Sequence, residues 1–441
     1  MASSEHNEKL RILIVPFFAT SHIGPHTDLA VRLAAARPGA VEPTMAVTPA
    51  NAPVVRSALE RHGASAAVRI ATYPFPAVGG LPAGVENLSS AGADGWRIDA
   101  AAIDEALTRP AQEALIRELS PDVVLTDVHF FWNSVIAREL GVPCVTFSVI
   151  GPFSTLAMDH LHDTVDGYSG CHEVIVPRLP GPEIRIPRTE LPEFLRSQET
   201  NDGFEPPFAA MRRCFGLAFN TFFELERQYC ELYPWPGKRA YFLGPLSLPL
   251  PPAGATAGES PCIRWLGLMP RSVLVGAEGD GWAPPEGWDE RVGKRGMLLR
   301  GWAPQAAILA HPAVGAFLTH CGSSSLMEAA SAGVPMLTWP LVCDQFIEER
   351  LVTDVLKIGE RVWSGSRSTW DAEKETVPAE AVARAVARFL EPGGTGEAAR
   401  GRALELAAKA NAAVAEGGSS YCDLRRLIDD LVEAKQGRPV A

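Results

Sequence analysis

The sequence predicts an α/β protein made of doubly wound, parallel-sheet domains, on three observations. Arg11 to Phe18 (RILIVPFF) is a continuous apolar run, the pattern of a strand buried on both faces of a parallel sheet. Strands and amphipathic helices then alternate, the order that right-handed βαβ crossovers produce. Residues 302–345 repeat the logic late in the chain, with the apolar run Val314–Thr319, a turn of small residues, a helix and a second short strand. A chain of 441 residues is too long for one ordinary core, so more than one such domain is expected.

Taken in order, the first strand is followed by a loop, Ala19 to Pro25, and a helix from about His26 to Ala36. A strand near Thr44–Thr48, a helix near Ala52–His62 and a strand near Val68–Tyr73 come next. One long amphipathic helix is expected over Asp99–Leu119, then a strand at Val123–Thr126, a helix at Phe131–Leu140 and a strand at Pro143–Phe147. Leu246 to Ser260 (LSLPLPPAGATAGES) is rich in Pro, Gly and Ala and reads as an exposed linker. A second α/β domain is expected to begin right after it, with its first strand at Arg271–Val275. Later helices fall near Phe346–Val355, Pro378–Leu390, Gly401–Ala413 and Ser420–Lys435.

Composition bounds the partners. Hydrophobic residues make up 46% and charged residues 21% of the chain, as in ordinary globular proteins. The net charge of −12 argues against nucleic acid or an anionic membrane as a partner. The polar start MASSEHNEKL lacks the apolar core of a secretion signal, and no run of 18 apolar residues occurs. Eight scattered cysteines contain no Cys-x-x-Cys pair, so neither a zinc site nor a disulfide framework is indicated and a reducing, cytoplasmic setting is the default.

An acidic chain that binds an anion must build the site locally. The strand Val314–Thr319, the turn His320–Ser325 and a helix beginning in the serines supply one, because free N–H groups and the helix dipole face the ligand. Gly276, Gly279 and Gly281 precede no helix, and Gly394-x-Gly396 follows a helix instead of a strand, so neither is a dinucleotide fingerprint. Ligands of doubly wound sheets sit beyond the carboxyl ends of the strands. His22 and Asp127 fall at two such ends. A histidine near a helix N-terminus is favoured as the neutral, basic imidazole, and an adjacent carboxylate would orient the ring and stabilise its cation. His129, two residues beyond Asp127, is read as structural and facing another way.

Residues 302–345 closely resemble the signature box of plant secondary-metabolite UDP-glycosyltransferases of family 1. The resemblance rests on Trp302-Ala303-Pro304-Gln305, His320-Cys321-Gly322, Glu328 on the following helix, Ala332-Gly333-Val334-Pro335, Trp339-Pro340 and Asp344-Gln345. It extends to His22-Ile23-Gly24-Pro25, to Asp127 within Thr126–Trp132, to Gly79–Leu88, Pro177–Phe194, Phe219–Leu225 and Gly244-Pro245, and so covers nearly the whole chain. It implies the GT-B architecture, two facing Rossmann-like domains with a cleft between them. Residues 1–245, joined by the C-terminal helix 420–441, would form the acceptor-binding domain. Residues 246–260 would be the linker and 261–419 the UDP-sugar-binding domain.

The resemblance further implies an inverting transferase moving a sugar, glucose being the best match, from a UDP-sugar to a hydroxyl of a small hydrophobic acceptor such as a flavonoid, terpenoid or hormone. His22 is then the base and Asp127 its support. Trp302 would stack on uracil beside Ala303 and Gln305, and Glu328 would accept the ribose hydroxyls. His320, Gly322, Ser324 and Ser325 would meet the diphosphate, while Asp344 and Gln345 hold the sugar. No cofactor or metal is implied; the UDP-sugar is a co-substrate, and a cytoplasmic monomer is expected. Phe130, Phe131, Trp132 and Phe153 would line the acceptor pocket.

Two departures from the pattern keep a second reading open. The family carries Trp-Asn where this chain has Ser323-Ser324. After Arg271–Val275 the chain runs into Gly276–Gly287, which cannot be a helix, and resumes at a segment that belongs well downstream in the family. The second domain is therefore expected to lack its first strand–helix unit, joined near Leu274–Gly276. With that unit gone, the alternative is a degenerate, catalytically weak or inactive member that at most binds UDP or acceptor.

Overall fold

The computed structural model describes residues 9–164, 171–196, 205–233, 238–248, 260–268, 273–277, 283–301 and 303–437. Its first half is β1 (Leu10–Val15), α1 (Thr20–Ala36), β2 (Val41–Val47), α2 (Ala52–Arg61), β3 (Arg69–Thr72), α3 (Gly95–Ile103), α4 (Glu105–Leu119), β4 (Val123–Asp127), α5 (Asn133–Leu140), β5 (Cys144–Ser148) and α6 (Pro152–His162). An antiparallel hairpin, β6 (Glu173–Ile175) and β7 (Arg185–Pro187), follows, then α7 (Glu205–Arg213), β8 (Gly216–Phe219), α8 (Arg227–Cys230) and β9 (Arg239–Phe242). Seven strands form one parallel sheet in the order β3-β2-β1-β4-β5-β8-β9.

The continuous apolar run explains why β1 is interior to that sheet. Leu10, Ile12 and Ile14 enter the core beneath α1 and α2, while Leu13 and Val15 enter the core on the opposite face with Ile98, Ile116 and Ile136. Alternate side chains of a strand point to opposite faces, so a strand covered on both must be apolar at every position.

Two local readings are corrected. Helix α1 begins at Thr20, not near His26, and carries Pro25 inside it. The proline forfeits one helical bond, to the Ser21 carbonyl, early enough in the helix that the remaining turns hold. The stretch 99–119 is not one helix. Asp104 ends α3 with extended backbone and caps α4 by accepting from the Leu107 N–H at 3.2 Å.

The second half holds α9 (Pro261–Leu268), β10 (Val273–Ala277), α10 (Trp288–Val292), β11 (Gly296–Arg300), α11 (Gln305–Leu309), β12 (Phe317–Thr319), α12 (Ser323–Ala332), β13 (Met336–Thr338) and α13 (Gln345–Arg350). A π-turn at Leu351–Val355, β14 (Gly359–Arg361), α14 (Ala379–Leu390), α15 (Thr395–Val414) and α16 (Ser419–Lys435) complete it. All pairings are parallel, but among the described residues the strands fall into two groups, β10-β11 and β12-β13-β14, with no bond between them. Leu318 of β12 is correspondingly 44% exposed.

The two lobes are tied by the chain's end and by α13. Leu427, Ile428 and Leu431 of α16 are buried in the core of the first sheet, and Asp423 accepts the Phe242 N–H at 2.8 Å. Ile347 and Leu351 join a first-lobe core containing Phe153, Ile186 and Leu191. Phe130, Trp132 and Phe153 are completely buried, which corrects their reading as pocket lining. Trp132 donates its indole N–H to Gln112 Oε1 at 2.8 Å, satisfying the one polar atom that would resist burial. Phe131 alone of the four is partly exposed.

Candidate active site

His22 lies in the first turn of α1, and Asp127 is the last residue of β4, the strand beside β1. His22 Nδ1 is 2.8 Å from Asp127 Oδ2. The carboxylate has no exposed side-chain surface, while the imidazole is 17% exposed. A ring that gives Nδ1–H to a buried carboxylate keeps Nε2 as a free base.

The carboxylate is shared. His129, read from sequence as facing elsewhere, donates its backbone N–H at 3.2 Å and sets its ring Nδ1 2.6 Å from the other oxygen, Oδ1. The reading failed because Asp127 ends the strand and its side chain accepts from the main chain two residues on, closing a turn that brings His129 back over it. The His129 ring stacks on Phe17 at 4.3 Å between centroids and meets the His22 ring edge-on at 5.3 Å. Burial would raise the Asp127 carboxyl, but the fields and N–H bonds of the two imidazoles outweigh it and hold it well below the usual carboxylate range. Burial acts to lower His129, yet the bond and charge of Asp127, with Asp99 and Asp344 behind, leave it raised. Beneath the pair, His26 is completely buried; its Nδ1 donates to the His22 carbonyl at 2.8 Å, while its Nε2, 3.8 Å from Asp127 Oδ2, has no hydrogen bond.

The donor atoms of His22, Asp127 and His129 lie within 4.8 Å of one another, the one such grouping among the described residues. The two N–H bonds to the carboxylate account for that closeness. All eight cysteines are free thiols.

Across the cleft, Cys321 takes the left-handed conformation (φ 67°) to carry the chain from β12 into α12, a strained geometry for a residue with a side chain. Its N–H is taken by Thr319 Oγ1 at 3.2 Å. Gly322 caps α12 in extended backbone, so the N–H groups of Ser323, Ser324 and Ser325 have no carbonyl within the helix to bond. His320 is exposed at the mouth of this turn. The Ser323 hydroxyl points instead to Glu348 Oε1, 2.9 Å away on α13.

Gln305 opens α11 and spans to α12, its Nε2 donating to Ser325 Oγ at 3.0 Å and Glu328 Oε2 at 2.9 Å. Burial pushes the Glu328 carboxyl up to about 7, against the bond from Gln305. The Ala303 carbonyl accepts the Gln305 N–H; Trp302 lies outside the described residues. Asp344 and Gln345 start α13, and Gln345 Oε1 accepts the Leu341 and Val342 N–H groups at 2.9 and 3.1 Å, leaving its amide N–H₂ as the outward group. Burial raises the Asp344 carboxyl, while the charges of both His22 and His320 act on it to lower it. The charges of a first-lobe imidazole and a second-lobe imidazole thus both reach Asp344.

A doubly wound lobe carrying a histidine–carboxylate pair, facing a lobe with an open helix N-terminus and a half-buried glutamate, defines a two-lobed group-transfer protein of the GT-B class. Structures of that class match nearly the whole chain. Glycyrrhiza uralensis UGT73P12 complexed with glycyrrhetinic acid 3-O-monoglucuronide superposes with a TM-score of 0.82 at 28% identity, covering 97% of each chain. Phytolacca americana UGT2 complexed with UDP-2fluoro-glucose and pterostilbene superposes at 0.74 and 22% identity, over 96% of this chain and 99% of that one. Residues 266–359 match the family described as UDP-glucoronosyl and UDP-glucosyl transferase. Fragaria ananassa UDP-glucose flavonoid 3-O-glucosyltransferase 7 is 31% identical over 96% of each chain, and the scopoletin glucosyltransferase of Nicotiana tabacum 32% identical over 96% of this chain and 98% of its own. The chain belongs to the plant family 1 UDP-glycosyltransferases. The Fragaria alignment spans 484 positions, more than the 441 residues here, so that relative has residues with no counterpart in this chain.

Proposed function

We propose that the protein is an inverting glycosyltransferase that moves glucose from UDP-glucose to a hydroxyl of a flat, hydrophobic phenolic or terpenoid acceptor. The observation that carries it is the His22–Asp127 pair at 2.8 Å. Nε2 of His22 takes the acceptor proton as the acceptor oxygen attacks the anomeric carbon. The bond from that carbon to the β-phosphate oxygen breaks, and its electron pair leaves with UDP on the opposite face. Asp127 stabilises the imidazolium. The N–H groups of Ser323 to Ser325, with His320, receive the negative charge that builds on the diphosphate. Glu328 accepts the ribose hydroxyls, and Asp344 and the Gln345 amide hold the sugar.

The inferred loss of the first strand–helix unit of residues 261–419 is supported by the split between β10-β11 and β12-β13-β14 and by the longer relatives. It removes one loop from the diphosphate side and leaves the α12 turn as the principal anion seat. Relatives described as glucosyltransferases over nearly their full length favour the active reading over a degenerate one. Incubation with UDP-glucose and a panel of flavonoid, coumarin and triterpenoid acceptors should release UDP and yield monoglucosides by mass spectrometry. His22→Ala should lower kcat by about a hundredfold or more; equal rates would exclude His22 as the base.

A further inference from the structure

We infer that His129 is a positioning residue for the transfer, holding the Asp127 carboxylate in the plane from which it orients His22. The inference rests on the base assignment above. Asp127 has no solvent, so the placement of its two oxygens is set by its neighbours. Oδ2 takes the His22 ring, and Oδ1 takes both the main-chain N–H and the ring of His129. Without the ring, Oδ1 keeps only the 3.2 Å backbone bond, and a buried carboxylate short of a donor turns toward whatever donor remains.

The ring is itself fixed by stacking on Phe17 and remains 29% exposed toward the cleft, where a proton can reach it. The charged and titratable groups around it are Asp127 on β4, His22 and His26 on α1, Asp99 on α3 and Asp344 before α13. Protonated, it places a positive charge beside His22 and draws on the same carboxylate.

Full-length wild type, His129→Phe, His129→Asn and His22→Ala are compared with UDP-glucose and one accepted phenol across pH 5 to 9. His129→Phe keeps a flat ring on Phe17 but no donor, and His129→Asn restores an N–H. The expected result is a fall in kcat of about tenfold for His129→Phe with both KM values within about twofold. His129→Asn should recover most of the rate. A wild-type rate in His129→Phe would overturn the inference, as would an equal loss in both variants. If His22→Ala is as fast as wild type, the base assignment fails first; if it is inactive and His129→Phe is normal, only this inference fails. Histidine-¹⁵N-labelled wild type gives a check without substitution: two Nδ1–H signals shifted downfield by a carboxylate support the shared Asp127, and one overturns it.

Discussion

The imidazole of His320 lies so close over Gly322 that a Cβ built there would stand 2.4 Å from its Nε2. No side chain fits at 322 unless the ring moves, and the glycine is also the cap from which α12 presents its N–H groups. Gly322→Ala should therefore fold but swing His320 out of the turn. We expect UDP affinity by calorimetry to fall about tenfold, with the far-ultraviolet circular dichroism spectrum unchanged. Undiminished affinity would show that His320 makes no contact with the diphosphate.

Glu328 makes donor binding pH-dependent. Burial, with a smaller push from Asp28, raises its carboxyl to about 7, while Gln305 favours the ionised form. Ribose hydroxyls donate to the ionised form, so binding UDP releases a proton near neutrality and affinity rises with pH. UDP should bind about tenfold more weakly at pH 6 than at pH 8. Glu328→Gln should remove most of that difference while leaving the part due to UDP's own phosphate. A wild-type slope equal to the variant's would place the ribose elsewhere.

What the residues disclosed beforehand, and what they hid, divides along physical lines. The buried strand β1, the catalytic candidates at the ends of β1 and β4, and the helix that starts at Ser323 follow from local pattern, because each depends on a few neighbouring residues. The early start of α1 was hidden by Pro25, a breaker on its own but tolerable where a single bond is lost. The break at Asp104 was available in the Asp-Glu pair that begins α4. The burial of Phe130, Trp132 and Phe153 was not available, since an aromatic is core or pocket according to what packs on it. The placement of Ser323 toward Glu348 is likewise tertiary: nothing in the serine run distinguishes the hydroxyl that faces α13 from the one at Ser325 that accepts from Gln305.

His26 should make the fold acid-sensitive above the range in which carboxylates titrate. Burial drives its imidazole from 6.5 down to about 4, although Asp127 and the His22 carbonyl act in the opposite sense. The unfolded chain then binds a proton that the folded chain refuses between those values. Stability present above pH 6.5 is lost as pH falls toward 4, by about 3 kcal/mol from this residue alone. His26→Leu should flatten the dependence of urea-unfolding free energy between pH 6.5 and 4.5, whatever it does to the absolute stability. An unchanged slope would mean that another group governs acid unfolding.

The junction of the lobes depends on Glu190, a buried carboxylate of the first half that meets two arginines of the second. Arg350 pairs with one of its oxygens, and Arg367 Nε donates to the other at 2.8 Å. Both arginines also bond Glu349, so the four side chains form a closed, alternating set with Glu190 only 5% and Arg350 only 3% exposed. Removing one member of such a set leaves positive charge buried without its partner, which is costlier than never having built the pair. Glu190→Ala should lower the unfolding free energy by about 3–5 kcal/mol. Glu190→Gln, which keeps an acceptor but not the charge, should lose less. Because Arg196 of the same first-lobe loop donates to Ser368 and Thr369, the damage should spread to the interface. The KM for the acceptor should rise in Glu190→Ala at temperatures where the variant is still folded. A stability loss below about 1 kcal/mol, the level of an exposed pair, would show that water reaches this cluster and that the lobes are held chiefly by α16.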